Sequence, residues 1–65
     1  MFDFPTRVRQ AVSEMNRTAR DTDEAVARPI LRRLLDAGVP ERLRAGDPDA
    51  LDDVWSAIRE MQAYQ

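Results

Sequence analysis

Sixty-five residues allow one domain, spanning 1–65, and a core of this size supplies only about 3–5 kcal/mol, so a disulfide, a metal or a partner commonly supplements it. With no cysteine and no histidine the chain can form no disulfide and offers no thiolate or imidazole ligand, which leaves helix packing, self-association or a larger protein partner. The net charge of -2 hides a division, because residues 1–33 carry seven Arg against five acids while residues 34–65 carry three Arg against seven.

Phe2 and Phe4 precede Pro5, which suits the first turn of a helix capped by Asp3. Aromatics so placed either fold back as a staple on that helix or anchor in another molecule, and the staple is the favoured reading. From Thr6 onward, Val8, Val12, Met15, Ala19, Thr22 and Val26 are spaced alternately four and three apart, a heptad seam weakened at Ala19 and Thr22. Its continuity predicts one long helix over about 5–27. Asp21 followed by Glu24 has the form of a capping box, so a break near Asp21 is the alternative.

The densest apolar run is Pro29 to Gly38, where Ile30, Leu31, Leu34 and Leu35 make one stripe on a helix. Pro29 suits a first turn and Gly38 can close the helix in the left-handed conformation, which predicts a short central helix over 29–37. Pro40 and Gly46 bound a one-turn helix near 40–45 with Val39 and Leu43 pointing inward. Asp47-Pro48-Asp49 then joins an N-cap acid, a first-turn proline and a further acid at the positive end of the helix dipole. The helix it opens, about 48–63, carries Leu51, Val54, Trp55, Ile58 and Met61 on one face and Asp52, Asp53, Ser56, Arg59 and Glu60 on the other. No stretch alternates as a strand would. The expected fold is all-α, a small helical bundle of three main helices plus the one-turn helix.

Catalysis is not expected. Without His, Cys or Lys the usual bases and activated nucleophiles are missing, and Ser13 and Ser56 lie on polar helical faces with no suitable base near them in sequence. Asp47, Asp49 and Asp53 occupy the first, third and seventh places of a calcium loop. However, Leu51 stands at the fifth, Asp52 where the loop turns on glycine, and Ile58 where the bidentate glutamate belongs. Helix capping accounts for these acids, and neither a metal nor a cofactor is expected. On the expected long helix, Glu14, Asp21 and Glu24 interleave with Arg17, Arg20 and Arg28, a mixed face that argues against a stripe tracking nucleic-acid phosphates. No run approaches the roughly 18 apolar residues of a membrane span and no basic-then-apolar leader opens the chain, so a cytoplasmic protein away from membranes is expected.

Leu43-Arg44-Ala45-Gly46-Asp47-Pro48-Asp49-Ala50-Leu51 resembles the opening helix of the promoter-melting region of small alternative sigma factors, which often begins with Gly-Asp and an Ala two or three residues later. The resemblance covers these residues alone. The aromatic and basic helices that such factors use on DNA have no counterpart here, and ordinary capping explains the same pattern.

Three apolar faces, together with Phe2, Phe4 and Trp55, are more apolar surface than so short a chain buries easily, and exposed surplus of that kind marks interfaces. The expected function is therefore a non-catalytic protein–protein interaction module: a small accessory subunit, adaptor or inhibitor of a larger protein, or a homodimer. Its candidate partner-binding residues are Phe2, Phe4, Val8, Val12, Met15, Val26, Trp55 and Met61. The alternative is a nucleic-acid-associated regulatory protein using the Arg-rich first half. Trp55, flanked by Leu51 and Ile58, is read as core rather than interface.

Overall fold

The computed structural model describes residues 3–65, so the staple expected of Phe2 lies outside the described residues. Four helices follow one another: α1 (Phe4–Arg20), α2 (Glu24–Asp36), α3 (Val39–Arg44) and α4 (Pro48–Gln62). There is no strand among the described residues, and the fold is a small all-α bundle.

Each boundary has a local chemical cause. Asp3 caps α1 by accepting from the Thr6 amide at 3.4 Å and from the Thr6 hydroxyl, and Pro5 sits in the first turn. Gly38 (φ 69°) ends α2 with its amide on the Leu35 carbonyl at 3.0 Å. Gly46 (φ 82°) ends α3 in the paired arrangement typical of a glycine stop: its own amide bonds the Leu43 carbonyl at 3.1 Å, and the Asp47 amide bonds that of Arg42 at 3.0 Å. Asp47 then caps α4 through the Asp49 amide at 2.9 Å.

The long helix expected over 5–27, with a second starting at 29, is corrected by the structure: the chain breaks at 21–23 and Pro29 lies within α2. Asp23 is the cap, accepting from the Ala25 amide at 3.0 Å, while its carbonyl takes the Val26 and Ala27 amides, both at 2.9 Å. The expected pairing of Asp21 with Glu24 is thus displaced by two residues. On the other side of the break, the buried Thr22 hydroxyl donates to the Thr18 carbonyl at 2.7 Å and takes over an acceptor that a continuing helix would have used. Pro29 is tolerated inside α2 because it and Ala25 are exposed, so water can reach the Ala25 carbonyl that the ring leaves without a donor.

All three other helices pack on α4, which makes it, rather than the dense apolar run in α2, the centre of the fold. Ala11, Val39, Ala50, Leu51, Val54 and Ile58 form one core cluster, flanked by Phe4, Val8, Met15, Leu34, Leu43 and Trp55. Ala27, Ile30, Ala57 and Met61 form a second, which Met15 and Leu34 join to the first. The largest fully buried side chains, Ile58, Met61 and Val54, all belong to α4. On α1 the inward seam is Phe4, Val8, Ala11, Met15 and Thr18, continued by the buried Thr22 in the break; Ala11 and Thr18 are the most buried positions, while Val12 is half-buried and Ala19 packs against the second cluster. Small residues at the centre of that seam, Ala11 meeting the cluster of Ala50, let two helices approach closely.

Candidate protein-binding surface

The break at 21–23 builds the site. Because α1 stops at Arg20 and α2 starts at Glu24, the end of α1 and one flank of α2 enclose an open groove of about 720 Å³. Ala27, Leu31 and Leu35 run along its α2 side at intervals of one helical turn, with Ala19 and Thr22 opposite. Leu31 is half-buried against the second core cluster, whereas Leu35 is 63% exposed. Among the described residues only Leu35 and Tyr64 are large apolar side chains this exposed.

Arginines rim the groove. Arg28 pairs with Glu24 at 3.1 Å and Arg32 with Asp36 at 3.6 Å, both within α2 and both largely in solvent, while Arg20 has no ion pair among the described residues. Behind the groove, Gln65 bonds the α1–α2 turn through Thr18 and Thr22, and Arg33 pairs with Glu60 of α4 at 2.6 Å.

A second groove, about 630 Å³, lies between the start of α1 and α3, lined by Phe4, Pro5, Val8, Pro40 and Leu43 with Arg9 and Arg44 at its edge. Arg42 fixes that end of the molecule by reaching Asp47 at 3.0 Å and Asp53 at 3.2 Å. The Arg42 guanidinium, with the Asp49 amide, holds the Asp47 carboxyl below the usual carboxylate range, and Asp47 together with Asp53 keeps Arg42 more firmly protonated.

The residues expected to bind a partner are dispersed. Phe4 and Val8 come together in the second groove. Met15 and Trp55 are half-buried against the first core cluster, Val12 is half-buried on α1, and Val26 flanks the second cluster beside a hollow shared with Pro29 and Tyr64. Met61 is fully buried and presents no surface in this conformation. Phe2 lies outside the described residues, and none of the other candidates lines the α1–α2 groove, whose Leu31, Leu35, Arg20, Arg28 and Arg32 were not among the residues expected to bind a partner. The available signal was width: Ile30, Leu31, Leu34 and Leu35 make a stripe broader than one neighbouring helix covers.

The break also changes the outer side of α1. Glu24 has moved to α2, so Arg9, Gln10, Ser13, Asn16, Arg17 and Arg20 share an exposed side whose carboxylates lie at its margins, Glu14 at 3.7 Å from Arg17 and Asp21 as the C-cap. The mixed face expected from a continuous helix is corrected only at Glu24 and Arg28, which lie on α2. No group of three potential metal ligands and no helix long and apolar enough to cross a membrane occurs among the described residues. No protein-family model, no curated protein and no solved structure matches the chain.

Proposed function

We propose that the chain is a non-catalytic protein-binding module, an accessory subunit, adaptor or inhibitor whose α1–α2 groove receives a segment of a larger protein in the cytoplasm. The observation that supports this reading is the exposed Leu35, continuous through Leu31 with the core and set among guanidinium groups. A single exposed leucine is ordinary, but a row of aliphatic side chains on an open groove loses solvation free energy until it is covered, at about 25 cal/mol per Å² of apolar surface. The lack of cysteine accommodates a reducing compartment.

The experiment is site-specific photocrosslinking in cells that make the protein, with the photoreactive residue at Leu35 and, as control, at Asp52 on the exposed side of α4. A discrete adduct from position 35 and none from position 52 is the expected result. Equal labelling of many proteins from both positions, or no adduct from either, would overturn the reading.

The exposed side of α1 that carries Arg9, Arg17 and Arg20, with acids only at its margins, favours a second reading, association with nucleic acid through these arginines. Retention of duplex DNA or RNA at about 150 mM salt, falling steeply as salt rises, would support it over the first.

A further inference from the structure

We infer that the occupant of the α1–α2 groove is an acidic amphipathic helix of the partner protein, with aliphatic residues seated on Ala27, Leu31 and Leu35 and carboxylates facing Arg20, Arg28 and Arg32. This rests on the protein-binding reading and specifies its partner. Ala27 to Leu35 spans two turns of α2, about 12 Å, a row that one face of a helix repeating at three and four residues can follow. An extended peptide would need a sheet edge to pair with, and the described residues contain no strand. The floor is aliphatic, with no aromatic ring on which a base could stack, which disfavours single-stranded nucleic acid in this groove.

Charge sets the sign of the partner. Three arginines and one acid, Glu24, line the groove, and Arg20 has no ion pair among the described residues. The pairs of Arg28 with Glu24 and Arg32 with Asp36 are solvent-exposed contacts within one helix, so carboxylates of an incoming helix can replace them at small cost. A second copy of this chain does not meet the requirement. Its acid-rich helix is α4, and the apolar face of α4, from Ala50 and Leu51 through Met61, is already buried in its own core.

The test uses the full chain, isotopically labelled, titrated with a stapled helical peptide of about 16 residues that carries Leu along one face and Glu on both flanks, and with its counterpart carrying Lys in place of Glu. The acidic peptide should shift the amide signals of Ala27, Leu31 and Leu35 and bind at least about tenfold tighter than the basic one. In an Arg20→Glu/Arg28→Glu variant, which alters only exposed side chains, the preference should invert. Equal affinity of the two peptides, shifts centred elsewhere, or no inversion would overturn the inference. If both peptides occupy the groove equally, the acidic specification fails while the protein-binding reading stands. If neither binds and position 35 also gives no crosslink, both fail.

Discussion

Gln65 donates its side-chain amide to the Thr22 hydroxyl at 2.9 Å and to the Thr18 carbonyl at 3.3 Å, while Thr22 itself donates to that same carbonyl at 2.7 Å. The end of the chain that follows α4 thereby braces the turn on which the α1–α2 groove depends. Thr18 and Thr22 are buried, so the brace also satisfies polar atoms that water reaches poorly.

Replacing Gln65 by Ala should cost about 0.5–1.5 kcal/mol, the usual net value of such bonds. For a domain of this size that lowers Tm by several degrees, at roughly 4–8 °C per kcal/mol. Hydrogen exchange should quicken at the Thr22 and Ala25 amides of the turn, and at Val54 in the core only by the factor that the loss of global stability sets. Unchanged exchange at the turn would show that the contact is incidental.

The two acids near the break have different roles, and mutation separates them. Asp23→Ala removes the cap of α2 and should cost about 1 kcal/mol in chemical denaturation, whereas Asp21→Ala should fall within about 0.5 kcal/mol of wild type. The reverse order would favour the Asp21 cap and a differently placed break.

These residues also show what was legible in the sequence. The last helix was legible throughout, since Asp47-Pro48-Asp49 fixes its start and Leu51, Val54, Ile58 and Met61 are all buried. The α1–α2 break was legible only as the alternative that Asp21 and Glu24 suggested, because a gap of three residues is close to one helical turn. Thr22 and Val26 therefore stay nearly in phase with Val8 and Met15, and periodicity passes across the interruption. Ala11 and Thr18 were missed because a hydrophobic pattern gives weight to large side chains, while close helix contacts select small ones. The groove follows from the break, so Leu31 and Leu35, legible as part of an apolar stripe, could not be placed on it from the pattern alone.

Burial predicts a sharp contrast between two apolar truncations. Met61→Ala removes a fully buried side chain and should cost about 2–5 kcal/mol, comparable with the whole stability expected of a chain this short. Leu35→Ala removes a side chain that is 63% exposed and should stay within about 0.5 kcal/mol of wild type. Circular-dichroism melts of the two variants check both values, and a folded Met61→Ala protein with unchanged melting would contradict the assigned core.

The Arg42 clamp gives a pH dependence of defined sign. Because Arg42 and the Asp49 amide favour the charged Asp47 carboxylate, its folded pKa lies below its unfolded value near about 3.9. The stability it contributes is present in full above that value and is lost as pH falls through the lower folded one. An Arg42→Met variant should accordingly melt below wild type at neutral pH, with the gap closing below about pH 4. A gap that is constant or widens in acid would show that the clamp does not act through the Asp47 charge.

Binding of a protein in the α1–α2 groove is tested by the affinity of the partner recovered through position 35 for wild type and for Leu35→Asp, by calorimetry with purified components. Leu35 is exposed, so the substitution leaves the melting temperature within a few degrees of wild type while placing a charge on the aliphatic row beneath the partner. If the groove binds the partner, wild type should bind stoichiometrically and the variant should lose at least about a hundredfold in affinity. Equal affinity of the two proteins would contradict it and move the binding surface off this groove.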